Sequence, residues 1–381
     1  MEESKQNSRV QFIDFGRSIA ICMMLQGHFI SMSYSNYDFY MAEIFKDGHS
    51  SSILFNVWGF MRGLTAPLFF TISGTVFSFL LHLQLKKSET KHFWQLNRVK
   101  KGLKRGLMLL LIGYLIQINF KYLSYYLQGN VNPHFFTFHV LQCIGLSILA
   151  FIIVTYVGIK LKFAHYWFYA FVGISLFTGT FFVRSTDGYL PRHFPEMIQN
   201  IIQGPETEFS IFPWMGFVFM GGAFGSLLAR FSIHEDKKRL MKFTVVFALI
   251  SFALGWIFTF LSWYTPQFQH STHPQNLWYF DRLGFVFVLF TLFIPLAEWK
   301  TAKNPLFIGM GQNTFFVYVA HAILLYGAFI GYSLRDLLQA RLSGFSAFIG
   351  AIVFLVFFAF LIKYLPNIST FFRNFRTKLT S

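Results

Sequence analysis

Long apolar runs recur along the whole chain of 381 residues. A helix needs about 20 consecutive apolar residues to cross the hydrocarbon core of a bilayer. Ten runs approach or exceed that length, and they predict ten transmembrane helices at roughly 12–32, 54–83, 105–127, 138–158, 165–183, 211–231, 242–263, 277–297, 306–331 and 344–364. The predicted fold class is therefore an all-α polytopic membrane protein.

The composition agrees with this prediction. Hydrophobic residues make up 54% of the chain and charged residues only 13%, whereas soluble domains contain about 25% charged residues. The sequence contains no internal repeat and no polar segment large enough to fold alone. We therefore predict a single membrane domain over 1–381, with short cytoplasmic tails at 1–11 and 365–381. The first apolar run has no small-residue cleavage site, so it is expected to remain as a span rather than to be removed as a signal peptide.

The net charge of +16 raises the question of a nucleic-acid partner, but the basic residues follow the predicted spans instead. If the N-terminus is cytoplasmic, about three quarters of the 32 Lys and Arg residues fall on the cytoplasmic side,. This asymmetry is the positive-inside pattern of membrane proteins. Both termini are therefore predicted to be cytoplasmic, and no nucleic-acid partner is expected.

The first apolar run carries three ionisable residues, Asp14, Arg17 and His28. A charged side chain in the hydrocarbon core costs roughly 2.5 to 3.5 kcal/mol, so such residues usually mark a functional path. At 100° per residue the three side chains fall on one helix face, with Arg17 and His28 about 16 Å apart along the axis. One polar face at two depths predicts the wall of a cavity that crosses most of the membrane.

A second polar cluster interrupts the run 306–331, where the residues are Gln312, Asn313, Tyr318 and His321. If the run is one helix, Asn313 and His321 lie about 12 Å apart along its axis. A lone histidine inside a membrane is more often a packing residue than a catalytic one. Two spans with internal histidines, together with an arginine and an aspartate, favour a function.

The segment 85–107 is far more basic than membrane topology requires. Arg98, Lys101 and Arg105 recur at spacings of three and four, which places them on one helix face. Such a stripe suits a phosphate-rich cofactor or the anionic headgroups of membrane lipids, and both alternatives stay open.

The predicted outer loops 33–53, 184–210 and 264–276 are rich in aromatic and polar side chains. These residues suit either a sugar ligand or the membrane interface. Cys22 and Cys143 lie inside predicted spans without metal-ligand spacing, so no metal is expected.

Five segments resemble one family. "DFGRSIAICMMLQGH" has the Arg-x10-His pattern of the integral-membrane acyltransferase superfamily, with Arg17 and His28 at the two positions. "APLFFTISGTVFSFLL" resembles the second-span motif of its heparan-alpha-glucosaminide N-acetyltransferase branch. "FHVLQCIGLSIL", "FPWMGFVFMGGAFG" and "GMGQNTFFVYVAHAI" are similar to later segments of that branch. The resemblance runs from about residue 9 to residue 331, in the order of the family.

The resemblance implies a bacterial-type enzyme of the inner membrane that modifies carbohydrate of the cell envelope. Such an enzyme takes an acyl group, with acetyl expected, from cytoplasmic acyl-CoA and delivers it to a sugar hydroxyl or amine of an extracytoplasmic glycan. In the animal enzyme of the branch, Asn occupies the position that matches His28, and the proposed catalytic histidine follows in the first outer loop. This chain has His49 in that loop. His28 is therefore the expected base or acylated nucleophile, and His49 is the second candidate.

The predicted catalytic residues are thus His28, Arg17 and Asp14. The residues predicted to bind acyl-CoA are Arg98, Lys101, Arg105, Asn313 and His321. The expected partners are acyl-CoA, a glycan acceptor and membrane lipids, and a homodimer stays open. Two alternatives are a catalytically inactive scaffold and a transporter whose path is lined by Asp14, Arg17, His28 and His321. Transporters often contain paired repeats with broken helices in matching positions; the sequence shows no such duplication, and the five motifs in family order favour the enzyme.

Overall fold

The computed structural model describes residues 10–87, 92–128, 136–185, 194–203, 207–264 and 278–379. Regular structure in these ranges is helical, apart from two isolated β-bridges, Tyr34 with Leu342 and Asn119 with Phe329. The all-α prediction is confirmed. Most of the predicted tail 1–11 and of the predicted loop 264–276 lies outside the described residues.

The α-helices account for most of the described residues. Their bounds are α1 Gln11–Ser33, α2 Tyr37–Asp47, α3 Ile53–Gly63, α4 Thr65–Lys87, α5 Asn97–Leu115, α6 Leu123–Leu127, α7 Val140–Lys160, α8 His165–Ser185, α9 Glu196–Gln203, α10 Ile211–Phe231, α11 Lys237–Tyr264, α12 Trp278–Leu296, α13 Pro305–Gln312, α14 Thr314–Tyr326, α15 Leu334–Leu338 and α16 Gly344–Leu379.

Among the described residues, 6 helical stretches are long and apolar enough to cross a membrane, or 7 if α13 and α14 together count as one span. These stretches are Ile53–Lys87, Val140–Lys160, Ile211–Phe231, Lys237–Leu261, Tyr279–Leu296 and Gly344–Leu365. The chain is therefore a multi-pass membrane protein. The count of ten spans and the cytoplasmic position of both termini stay predictions.

The predicted span 306–331 is not one continuous helix. The chain breaks at Asn313, and α13 and α14 are bent by 81° relative to each other. The Asn313 side-chain Nδ2 donates to the Gly309 carbonyl at 2.8 Å, and the Thr314 hydroxyl donates to the Gly311 carbonyl at 2.6 Å. These two side chains bind carbonyls in the last turn of α13. Short polar side chains commonly compete in this way with the backbone hydrogen bonds that would continue a helix.

The predicted span 105–127 also has different bounds, because α5 already ends at Leu115. Polar side chains again mark the end of the helix. The Gln117 amide donates to the Thr137 carbonyl at 2.9 Å, and the Asn119 side chain accepts the Lys121 backbone N–H at 2.9 Å. The helix instead extends further towards the N-terminus, so that it includes the whole basic stripe.

The chain divides into two compact units. The first contains residues 1–10, 66–118 and 122–294, and the second contains residues 11–65, 119–121 and 295–381. The first unit holds the basic stripe. The second unit holds Asp14, Arg17, His28, His49 and the polar cluster of α13 and α14.

In the first unit, α4 and α10 pack with their backbones in direct contact. A Cβ atom added to Gly74 would collide with the Val218 carbonyl, and one added to Gly221 would collide with the Thr71 carbonyl. Gly225 repeats this contact one turn further along α10. Because lipid supplies no hydrophobic force between helices, small residues that allow such close approach are a main source of helix association in membranes.

In the second unit, α1 packs against α13 and α16. Gly311 of α13 lies against the backbone of Ser18, where an added Cβ would be 2.7 Å from the Ser18 nitrogen. On the side of α16, the Phe29 and Phe354 rings pack with their centres 5.4 Å apart. These contacts fix the position of α1, which carries the three ionisable residues of the first apolar run.

Candidate active site

His28 lies in the last third of α1 and is half-buried. Its Nδ1 is 2.9 Å from the Tyr326 hydroxyl oxygen, which is hydrogen-bond distance. The ring centre of His28 is also 5.3 Å from that of the buried His321, whose ring in turn contacts Tyr318 at 5.0 Å. Helices α1 and α14 thus bring two histidines and two tyrosines into one cluster.

Tyr326 owes its position to the end of α14. It is the last residue of the helix, and Gly327 follows in the left-handed conformation with φ of 72°. The Gly327 N–H closes the helix by donating to the Ile323 carbonyl at 3.0 Å. Glycine adopts this backbone conformation without the steric cost that a side chain would add. The tyrosine is consequently held at a fixed helix end, next to the imidazole.

A second cluster lies beside the same turn of α1 and centres on Arg62 of α3. The Arg62 Nη1 donates to the Tyr37 hydroxyl at 2.9 Å, and the guanidinium carbon lies 5.6 Å from the ring centres of Tyr37 and Trp58. Trp58 donates its Nε1–H to the Gln26 side chain at 2.8 Å. The aliphatic part of Arg62 packs over Gly27, so the arginine sits one residue away from the predicted catalytic histidine.

Sequence reasoning did not identify Arg62 or Tyr326 as site residues. Arg62 is an ionisable residue inside the predicted apolar span 54–83, and the sequence does not indicate which residue it contacts. Ionisable residues in apolar runs are a signal of function, so that signal was present in the sequence. Tyr326 gives no comparable signal, because its contact with His28 joins residues 298 positions apart.

Arg17 and Asp14 form an ion pair with 3.3 Å between Nη1 and Oδ1. Both lie on α1, one turn apart, and both side chains are largely buried, with exposed fractions of 25% and 17%. Pairing offsets the cost of placing two charges within an apolar segment. The predicted common face of α1 therefore has an ion pair near one end and the histidine near the other.

Apart from His321, the other predicted site residues of the second unit make their described contacts within their own chain segments. Asn313 directs its amide to the Gly309 carbonyl of its own chain segment. His49 is exposed, and its Nδ1 lies 3.1 Å from the Asp47 carbonyl oxygen within the same loop. His321 is the exception, because its ring packs directly on that of His28.

The basic stripe lies on α5 in the first unit. Arg98 is half-buried, and its backbone N–H donates to the Gln84 side chain at 2.8 Å. Lys101 and Arg105 are exposed on the same helix. The guanidinium and ammonium groups are thus on a surface where an anion can approach.

Within the described ranges, no group of three or more His, Cys, Asp or Glu side chains is arranged to hold a metal ion. The described cluster is instead suited to acid–base chemistry. A hydrogen-bonded imidazole can accept a proton on one nitrogen while the other nitrogen is held by its partner.

The fold and this cluster define a polytopic helical membrane protein in which a histidine of α1 is paired to a tyrosine of α14. The sequence profile described as "Heparan-alpha-glucosaminide N-acetyltransferase, catalytic" matches residues 9–254. The match spans more than half of the chain, and the chain belongs to this family of membrane acetyltransferases. It includes His28 and Arg62 but ends before His321 and Tyr326. No curated protein matches the sequence.

Proposed function

We propose that this protein transfers an acetyl group from acetyl-CoA, or another acyl group from its acyl-CoA, to a sugar hydroxyl or amine of an extracytoplasmic glycan. The observation that carries the proposal is the hydrogen-bonded His28 within a chain of the acetyltransferase family. The proposal includes a location in the bacterial inner membrane, with the acyl donor bound from the cytoplasm.

In the proposed reaction, the acceptor oxygen or nitrogen attacks the thioester carbonyl. The new C–O or C–N bond forms, the C–S bond breaks, and CoA leaves as a thiolate that receives the acceptor proton by way of His28. His28 takes the proton that the acceptor loses, since an imidazole is the side chain that titrates nearest to neutral pH in water. The alternative mechanism uses the same residue in two steps: the acyl group is first transferred from CoA to His28 and then from His28 to the acceptor.

The donor side of the proposed site begins with the ion pair of Arg17 and Asp14. Arg17 is about 16 Å from His28 along α1, which is close to the reach of an extended pantetheine arm. Asp14 orients the guanidinium, and the guanidinium binds the carbonyl or phosphate region of the donor. We assign further donor contacts to Arg98, Lys101, Arg105, Asn313 and His321.

The acceptor side consists of the aromatic residues beside the outer end of α1. Tyr37 and Trp58 offer ring faces with polar edges, which suit a sugar because its faces are apolar and its rim carries hydroxyls. Arg62 adds hydrogen-bond donors at the same place. These residues lie on α2 and α3, next to the turn of α1 that carries His28.

The alternative is a transporter whose substrate or proton path uses Asp14, Arg17, His28 and His321. A thiol-release assay separates the two functions, because only an acyltransferase consumes the thioester. The protein is purified in detergent, supplied with acetyl-CoA and candidate sugars, and compared with a His28→Ala variant.

We expect acceptor-dependent thiol release by the wild-type protein and a loss of about 10²- to 10⁴-fold in His28→Ala, which is the usual contribution of a general base. His49→Ala is the matched control, since His49 is an exposed histidine on the same unit. Equal rates in the wild-type protein and His28→Ala would overturn the assignment. Thioester consumption that never depends on any supplied sugar would contradict the acceptor class.

A further inference from the structure

The contact between His28 and Tyr326 is compatible with both neutral tautomers of the His28 imidazole. The 2.9 Å distance between Nδ1 and the hydroxyl oxygen fits either direction of donation,. If the tyrosine donates to Nδ1, the imidazole carries its proton on Nε2 and cannot accept one there. If Nδ1–H donates to the tyrosine oxygen, Nε2 keeps its lone pair.

We propose that Tyr326 is a positioning residue that holds His28 in the tautomer with the proton on Nδ1. The inference rests on the proposed function, because only a base needs the lone pair on Nε2. The tyrosine oxygen accepts the Nδ1–H, and the phenol proton points away from the imidazole. Nε2 is then the nitrogen that takes the proton of the acceptor.

The packing around the pair supports a fixed geometry. The His28 and Tyr326 rings meet edge to face at an interplanar angle of 90°, with centres 5.8 Å apart. His321 packs on the His28 ring at 5.3 Å and is only 3% exposed, so it restricts rotation of the imidazole. A ring held by a hydrogen bond and by a packed neighbour has little freedom to turn and exchange its two nitrogens.

The local backbone gives the tyrosine a defined place. Tyr326 terminates α14, and Gly327 ends the helix in a left-handed conformation. Tyr318 offers a matched control on the same helix, because its ring contacts His321 at 5.0 Å. Tyr326→Phe removes the hydroxyl that meets His28, whereas Tyr318→Phe removes a hydroxyl elsewhere in the same aromatic cluster.

The first test reads the tautomer directly. The protein is labelled with ¹⁵N-histidine, reconstituted in lipid nanodiscs and studied by NMR, with the His28 signals assigned by their loss in His28→Asn. We expect the wild-type His28 to be protonated on Nδ1, and Tyr326→Phe to mix the two tautomers. A proton on Nε2 in the wild-type protein would overturn the proposal. This measurement needs no substrate, so its outcome does not depend on the proposed function.

The second test is kinetic. Hydrogen-bond partners that fix the tautomer of a ligating histidine contribute about 10- to 100-fold in metal sites, and we expect a loss of that size in kcat for Tyr326→Phe. The KM for acetyl-CoA should stay unchanged, because binding of the acetyl-CoA phosphates does not depend on which nitrogen of His28 carries the proton. Tyr318→Phe should lose much less kcat than Tyr326→Phe, because the described ring contact of Tyr318 is with His321 rather than with His28. Equal losses in the two variants would indicate general packing damage and would refute the positioning role, whereas no turnover by the wild-type protein would refute the proposed function itself.

Discussion

Replacing Gly311 by Ala tests the contact that fixes α1 against α13. An added Cβ would lie 2.5 Å from the Ser18 hydroxyl oxygen and 2.7 Å from the Ser18 nitrogen. Ordinary contact begins near 3.4 Å, so the Ser18 backbone would have to move by about 0.7 Å,. Overpacking of this kind typically costs about 1 to 3 kcal/mol. Ser18 follows Arg17, so the displacement also reaches the ion pair with Asp14.

Gly309→Ala is the matched control on the same short helix. Its added Cβ would meet the Ile362 side-chain Cγ2 at 3.0 Å, a contact that is longer than those of Gly311 and involves no backbone atom. Both substitutions gain about 0.5 to 1 kcal/mol from the better helix propensity of alanine, so this gain cancels in the comparison. Gly311→Ala should therefore be less stable than Gly309→Ala by about 1 to 3 kcal/mol.

The assay is reversible unfolding in SDS, combined with thiol release from acetyl-CoA. Because a misplacement of about 1 Å can cost 10²-fold in rate, Gly311→Ala should also lower kcat by up to that factor. Equal stability and equal kcat in the two variants would refute the reasoning. Such a result would mean that α1 and α13 separate at no cost and that the position of Arg17 does not matter.

Three further outcomes follow from the site and its surroundings. Changing both Arg98 and Lys101 to Gln should raise the KM for acetyl-CoA far more than the KM for the acceptor, since charge-assisted contacts to phosphate are lost; unchanged donor kinetics would assign the stripe to lipid. His49→Ala should keep wild-type turnover in the thiol-release assay, and a loss comparable to that of a general base, about 10²-fold or more, would make this exposed residue the base instead. The backbone N–H and hydroxyl of Ser333 donate to Asp336 at 2.8 and 3.0 Å and lower the pKa of the Asp336 carboxyl. The stabilisation of α15 is therefore present above the unfolded pKa of the carboxyl and lost as the pH falls through the lowered folded pKa. The protection of the Ser333 N–H against hydrogen exchange, relative to the unfolded chain at the same pH, should fall over that range, and the same fall in Asp336→Asn would refute this cause.

Much of the fold could be predicted because hydrocarbon imposes a simple rule on sequence. A helix is the only open structure that satisfies its own backbone in lipid, so the predicted run 211–231 coincides with α10 and the predicted run 138–158 lies within two residues of α7 at each end. Helix periodicity also predicted correctly that Asp14, Arg17 and His28 share one helix, which is α1.

The rest depended on contacts that periodicity does not contain. The break at Asn313 follows from side-chain hydrogen bonds to Gly309 and Gly311, and an apolar average over 306–331 is insensitive to them. The site at His28 is completed by Tyr326. A one-dimensional pattern gives the face on which a residue lies but not the partner that a distant segment brings to that face.

The backbone contact between α4 and α10 has a genetic consequence. Every missense change at Gly74, Gly221 or Gly225 adds at least a Cβ atom, and at each position that atom would meet a backbone carbonyl of the facing helix. No single-codon substitution is mild there, unlike at lipid-facing positions, where one apolar residue replaces another freely. In a library of all single mutants, these three glycines should therefore be intolerant of every substitution, alanine included.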